Sequence, residues 1–409
     1  MDAYVPRHLG PLIEEYFGEL PALMIVGPRA CGKTTTTGRF VRTTVRLDTE
    51  EAGIFHINPD AALRDKTEPV LLDEWQAVPS VLGAVKRAVD TEWRPGRFIL
   101  TGSARALGGG DMWPGTGRVV ILRMYPMTIA EQKQRPLNPL IDRLAAGETP
   151  QRALGPPLDV TDYLRLALAG GFPEPALSLG ARAAAAWYQS YADQVALRDA
   201  SAYGESRDST RLRRYLQACA LVSGHVAQHK TIYDAAGISR NAATSYDALL
   251  NDLMVTGDLP PWSSNQLRRL ARTPKRYIID SGLLAGILQI GVDEAASSPA
   301  LLGSLIETFV VAQLRAEAIV ARSGFRLSHL RTLDGRHEVD VVAEFGGTQL
   351  VGIEIKAAAR IGRSDARHLE WLRDELGEHF SAGVVLHTGP DTYELADRIT
   401  AAPISTLWA

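Results

Sequence analysis

Cysteine is almost missing from this 409-residue chain: there are two, Cys31 and Cys219. That excludes a disulfide framework and a cysteine-rich zinc site. No apolar run approaches the length of a membrane span, and no signal peptide opens the chain. A non-membrane protein of the cytoplasm is the expectation. An excess of one charge is also lacking. The formal net charge is −3, so nothing draws the whole molecule to DNA or to an anionic membrane, and only a local basic patch could do so. There is no internal repeat and no long low-complexity tract.

What is present is a soluble globular mixture, 45% hydrophobic and 22% charged, in a chain too long for one ordinary core. Its length argues for about two to four domains. From 22 to 132, short β-like runs ("ALMIVG", "TTVRLD", "PVLLDE", "RFILTGS", "RVVILRMYP") alternate with helical or loop segments. Such alternation predicts a parallel sheet flanked by helices. Four segments follow: a sheet domain over 1–135, a linker and helical lid over 136–207, a helix-rich domain over 208–290, and an α/β domain over 291–409.

"GPRACGKT" at 27–34 fits G-x-x-x-x-G-K-[ST] and lies between an apolar strand and a helical stretch, the context that motif needs. Its glycines let backbone N–H groups close around phosphate oxygens, and the helix start adds partial positive charge. The expected nucleotide contacts are Gly27, Pro28, Arg29, Ala30, Cys31, Gly32, Lys33, Thr34 and Thr35. Lys33 reaches the β/γ-phosphates, and Thr34 ligates Mg²⁺. "PVLLDEWQ" ends in Asp73-Glu74: Asp73 to hold Mg²⁺, directly or through water, and Glu74 to activate a water. "RFILTGSA" ends in hydroxyls, with Ser103 facing the γ-phosphate or the attacking water and Thr101 behind it. An ATP site with Mg²⁺ is therefore expected.

These stretches, with "GRVVILRMYPMTIAEQ", "GGFPE", the Arg198-Asp199 pair, "TPKRYIIDSGLL" and "GSLIETFV", resemble a bacterial and archaeal family. Its members join an AAA-type (AAA_14-like) ATPase domain to a C-terminal domain labelled DUF4143. The resemblance implies that Arg118 contacts the γ-phosphate, across a subunit boundary as an arginine finger; a structural ion pair is the alternative. It also brings in the rings that AAA-type relatives often form, so a homo-oligomer of unspecified number. For Arg198 and the "GGFPE" turn it offers roles that purely structural duties would equally explain.

The stretch 208–280 resembles a winged-helix domain. "ISRNAATSYDALLNDL" would be the second helix of a helix-turn-helix, with Ser239, Arg240, Asn241 and Thr244 facing a groove. Arg268, Arg269, Arg272, Lys275 and Arg276 place charge on or near the wing, suited to DNA phosphates. Winged helices also dock proteins, so that partner stays open.

The last segment raises a question: why does the apolar run "VGIEIKAAAR" carry Glu354 and Lys356 on one face? Upstream, "GRHEVDVVAEF" holds Asp340, and the short turn "FGGTQ" brings the two strands together. Glu307 lies in the mostly apolar helix "LLGSLIETFVVAQL". Buried unpaired carboxylates are costly. The order helix-Glu, Asp, Glu-x-Lys resembles the PD-(D/E)XK nuclease fold, although Val339 stands where the proline of that name would be. The resemblance implies Mg²⁺ or Mn²⁺ on Asp340 and Glu354, Lys356 activating the water, and Glu307 completing the site. His337 and His368 lie nearby in sequence. The fold class expected is thus α/β multidomain: an ASCE/AAA-type parallel sheet, a helical and winged-helix middle, and a restriction-endonuclease-like α/β end.

Three functions compete. One is an ATP-driven DNA enzyme, a metal-dependent deoxyribonuclease coupled to the ATPase in DNA processing, repair or defence. Another is a nucleotide-dependent switch or scaffold whose nuclease-like part does not cleave. The last is an ATPase acting on protein partners.

Overall fold

A computed structural model describes residues 4–102, 116–201, 209–263 and 273–409, without the side chains of Glu51 and residues 198–201. Ser103, Arg268, Arg269 and Arg272 lie outside the described residues, as do the side chains of Arg198 and Asp199. The chain divides into two compact units, one of Met1–Pro126 with Leu249–Val255, the other of Met127–Ala248 with Thr256–Ala409. No helix among the described residues is long and apolar enough to cross a membrane.

The first unit is built on five parallel strands: β1 Ala22–Val26, β2 Thr43–Arg46, β3 Val70–Asp73, β4 Phe98–Gly102 and β5 Val120–Arg123, in the order β2-β3-β4-β1-β5. Every residue of β1, β3 and β4 is buried, which is why those runs read as continuously apolar. Helices cover the sheet through their apolar stripes: Val81–Thr91 buries Val81, Leu82, Ala84, Val85 and Val89. The chain leaves β1 next to β4 on one side and β5 on the other. The carboxyl ends of the central strands therefore open onto the crevice where α/β sheets bind ligands.

The second unit contains two sheets. In its middle, helices Ser209–Leu221 and His229–Ala236, and helix Arg240–Asp252 as far as Ala248, precede an antiparallel pair, β6 Thr256–Leu259 and β7 Lys275–Ile278. The larger sheet has six strands: β8 Arg326–Arg331, β9 Glu338–Phe345, β10 Gln349–Lys356, β11 Phe380–His387, β12 Tyr393–Ala396 and β13 Ile399–Pro403, ordered β12-β13-β11-β10-β9-β8. β8, β9 and β10 form an antiparallel meander. Helix Arg367–Leu376 then carries the chain over to β11, which runs parallel to β10. Val339, Val342, Leu350, Leu369, Phe380, Val385 and Trp262 share the core beneath.

The long helix Pro299–Val320 organises this unit with buried polar side chains. Gln313 accepts from the Ile129 N–H at 2.7 Å, and Glu317 from Leu140 N–H at 3.2 Å, so each satisfies a donor at the start of a short helix. Burial pushes the Glu317 carboxyl up to about 8, and these partners only partly offset it.

Candidate functional site

Two constellations stand out, one in each unit. In the first, residues 27–32 leave β1 as a loop with Ala30 (φ 59°) and Gly32 (φ 93°) left-handed, and helix Lys33–Thr37 starts at once. Such turns aim successive backbone N–H groups at a common centre. Gly27 is forced: a side chain there would run into the Met124 carbonyl. Cys31 is buried, its Sγ 3.7 Å from that same carbonyl. Arg29, Ala30 and Thr35 are exposed, and Pro28 is buried. Lys33 lies along the loop and donates to the Gly27 and Pro28 carbonyls at 3.0 and 2.8 Å.

The acids stand where expected. Asp73 accepts from Thr34 Oγ1 at 2.8 Å and from the Thr101 hydroxyl, so the helix after β1, strand β3 and strand β4 contribute one group each to a single cluster. Glu74 is itself left-handed (φ 52°), which turns its side chain off the strand axis, and its carboxylate accepts from the Gln76 amide. Gly102 leaves room for Gln76, since a Cβ there would collide with its amide oxygen. Thr34 and Asp73 are hard oxygen donors side by side, a set that fits Mg²⁺.

Two arginines change places relative to expectation. Arg118 does not reach the loop of its own chain. Leu23 aligns with Val120, so Arg118 lies beyond the amino end of the parallel strands, at the opposite edge from the loop. It pairs with Asp90 at 2.5 Å, the structural alternative. Arg123, level with Val26 and exposed, is the arginine that β5 places at the phosphate end. Arg7, buried, donates to the carbonyls of Cys31 (2.8 Å) and Tyr125 (2.7 Å), tying the loop to the end of β5. Neither Arg123 nor Arg7 sits in a motif; only the strand register and the tertiary contacts reveal them.

In the second unit, the pairing of Ile353 with Val341 places Asp340 across from Glu354 one step further on. Directly opposed residues share a face, and Lys356 shares it too at spacing two. The four predicted residues do converge. Ile355 N–H donates to Asp340 Oδ2 at 2.9 Å, and Lys356 Nζ lies 3.1 Å from Glu354 Oε2.

A fifth residue changes the chemistry. Lys275, the first residue of β7, is buried and reaches Glu307 Oε1 at 2.6 Å and Asp340 Oδ1 at 2.9 Å, with Glu338 at 3.8 Å. Tyr277, two residues on, donates to the same Glu307 oxygen at 2.6 Å. Lys275 is therefore not an open phosphate contact, because two carboxylates enclose its ammonium. Arg276 is withdrawn as well, half-buried against Asp247 (2.7 Å) and Asp258 (3.5 Å). Among the described residues, no three His, Cys, Asp or Glu side chains are grouped so as to hold a metal ion. The arrangement does not fit the expected divalent ion on Asp340 and Glu354, since Lys275 and Ile355 N–H take both Asp340 oxygens. Glu354 Oε1 is buried without a partner.

Burial drives the electrostatics. It raises the Glu354 carboxyl to about 8, with Asp340 adding to the rise, and Glu307 to about 7, again with help from Asp340. Asp340 is buried too, yet Lys275 holds it below the usual carboxylate range. Burial also disfavours the Lys275 ammonium, but Asp340 and Glu307 outweigh that and raise it well above its ordinary value. His337 stacks on Trp371 (centroids 4.2 Å) and meets His368 edge-on at 5.6 Å. Burial lowers His368, and the charges of Lys356 and Asp340 are near enough to act on it.

The remaining marks are placed as follows. Ser239, Arg240, Asn241 and Thr244 are exposed around the start of helix Arg240–Asp252, where Ser239 Oγ accepts from Ala242 N–H at 3.3 Å. The "GGFPE" turn meets "IIDSG": Gly171 N–H donates to buried Asp280 at 2.7 Å, and a Cβ on Gly170 (φ 64°) would collide with Tyr188 and Asp280. That pairing of motifs holds the fold together and touches neither constellation.

A central β1 ending in a phosphate-cradling loop, with Thr34, Asp73 and Thr101 joined at the strand ends, defines a P-loop nucleotide-binding domain. The comparisons agree. An AAA domain profile (AAA_14) matches residues 19–133, a domain of unknown function (DUF8612) matches 160–294, and another (DUF4143) matches 302–407. The chain therefore joins an AAA domain to a C-terminal DUF4143 domain. Two curated relatives are "Uncharacterized protein Mb2031c" of Mycobacterium bovis and "Uncharacterized protein Rv2008c" of Mycobacterium tuberculosis. Each is 27% identical over 391 residues, 94% of this chain and 80% of the relative.

Proposed function

We propose that the protein hydrolyses ATP at the P-loop and uses the nucleotide cycle to control a DNA-processing unit. The observation carrying the ATPase half is the single cluster in which Thr34, Asp73 and Thr101 meet beside Lys33. Mg²⁺, held by Thr34 and Asp73, supplies positive charge to the phosphate oxygens when nucleotide is bound. Lys33 exchanges the Gly27 and Pro28 carbonyls for β/γ-phosphate oxygens. Glu74, released from Gln76, orients and deprotonates the attacking water. Thr101 keeps Asp73 in register.

The DNA half rests on two features. Three helices followed by the β6–β7 pair are what a winged helix requires, with Ser239, Arg240, Asn241 and Thr244 outward. The helix–β–β–β–helix–β succession that collects Glu307, Asp340, Glu354 and Lys356 is what the PD-(D/E)XK resemblance requires. The competing reading, a nucleotide-dependent switch that binds DNA or protein without cutting, is favoured by one specific observation, the Lys275 ammonium between Glu307 and Asp340.

Incubation of linear, circular and branched DNA with Mg²⁺ or Mn²⁺, with and without ATP, separates the readings when Lys33→Ala and Lys356→Ala run alongside. Cleavage lost in Lys356→Ala supports the nuclease. ATP turnover without cleavage of any substrate supports the switch. No ATP turnover by the wild-type chain overturns both.

A further inference from the structure

Lys275 is a member of the carboxylate cluster, though it arrives on a different sheet. Its side chain is 2% exposed, while Glu307 and Asp340 keep 16% and 15%, so the ammonium is the more deeply buried partner of both carboxylates. β7 is held where it must be for this. His329 of β8 contacts the Thr273 carbonyl at 3.2 Å, and Arg276 anchors the next residue through Asp247. Residues 275 and 277 share a face of β7, and both end on Glu307 Oε1.

The charges tell the same story. Once a bound cation has displaced their protons, Glu307, Asp340 and Glu354 carry three negative charges, and Lys275 and Lys356 two positive ones. Without Lys275 the cluster would be left with two uncompensated negative charges, the deficit one divalent cation fills. The unpartnered Glu354 Oε1 is a donor of the kind a hard cation takes. A divalent ion within about 2.1 Å of Asp340 Oδ1 would overlap or repel an ammonium already 2.9 Å from that oxygen. The two cations exclude one another.

We propose that the Lys275 ammonium is an internal substitute for a divalent cation, and that Glu307, Asp340 and Glu354 bind such an ion only when Lys275 is withdrawn. This rests on the nuclease-like reading of the cluster but not on cleavage.

The test is Mn²⁺ binding to the metal-stripped, nucleotide-free full chain, read by calorimetry and by electron paramagnetic resonance. The wild type should show no site tighter than about 1 mM, and Lys275→Met should gain one site at least about tenfold tighter. Adding Asp340→Asn to Lys275→Met should abolish it. Should Lys275→Met fail to fold, Lys275→Gln, which removes the ammonium and leaves all three carboxylates in place, takes its place. A wild-type chain that binds Mn²⁺ through Asp340 as tightly as the variant overturns the proposal. So does a folded variant that binds none, or unfolding of both variants, which would make the ammonium a fixed structural group. DNA cleavage, scored separately, reports on the nuclease reading alone: Lys275→Met that binds Mn²⁺ and cuts nothing upholds the exchange and sinks the nuclease.

Discussion

The P-loop and the carboxylate cluster both gather charged groups at strand ends, yet they are held in opposite ways. At the P-loop, the backbone does most of the holding: two left-handed residues shape the loop, and Lys33 rests on neutral carbonyls that a phosphate can outcompete. At the carboxylate cluster, side-chain charges hold one another, with Lys275 locked between two acids in a nearly dry site. A site organised by backbone is ready for its ligand. A site neutralised by its own side chains must lose an internal partner first.

The sharpest way to break that contrast is at the P-loop. Lys33→Ala and Glu74→Gln should each cut ATP turnover by about 100-fold or more while leaving thermal stability nearly unchanged, because Lys33 gives up only loop carbonyls. A large loss of stability with either variant would erase the distinction.

At the carboxylate cluster the order of effects reverses. Lys275→Met strands buried acids and should cost about 3–5 kcal/mol in urea denaturation of the second unit, with ATP turnover intact. Mn²⁺ should restore part of that stability. A variant as stable as the wild type would show that the ammonium holds nothing.

The buried acids of the second unit set a pH trend. Glu317 at about 8 and Asp280 at about 6 titrate above ordinary carboxylates, as do Glu307 and Glu354. Folded-state values above the unfolded ones mean that the folded chain holds extra protons. The stability they contribute is complete in mild acid and lost as pH rises through 6 and then 8. Asp340 acts in the opposite sense, but only below about pH 4. The melting temperature of the second unit should therefore fall from pH 5 to pH 8.5, and a flat or rising profile would contradict these assignments. The P-loop unit should show no matching trend.

The smallest effect concerns Arg118. Its partner Asp90 is solvent-exposed, and the pair lies at the far edge of the sheet, so Arg118→Ala should change the ATP turnover of the isolated chain by less than about twofold. A large loss that appears only at concentrations where the chain self-associates would restore the arginine-finger role between subunits.

Much of this was readable in the chain. Three strands of the first sheet, β1, β3 and β4, announced themselves because buried parallel strands must be apolar along their whole length, while the largely exposed β2 and β5 were legible only as β-like runs alternating with helical segments. Asp340 and Glu354-Ile355-Lys356 were readable because period-two alternation and a short Gly turn dictate which residues share a face. β8, β12 and β13 were missed: "RLSHLR" and "YELA" are short, mixed segments whose pairing partners, not their composition, make them strands. Lys275 was misread for a related reason. Standing among Arg268, Arg269, Arg272 and Arg276, it looks like part of a solvated basic patch.

By itself, then, the sequence determined local matters: the P-loop conformation demanded by Gly27 and Gly32, the apolar strands, and the face shared by Asp340, Glu354 and Lys356. Only the tertiary structure decided which charges meet. Periodicity and motif spacing act over a few residues, whereas Lys275 reaches Glu307 and Asp340 across 32 and 65 residues through the docking of one sheet against another. No local pattern encodes that distance, and burial at its end is what turns the first lysine of β7 into the counter-ion of the cluster.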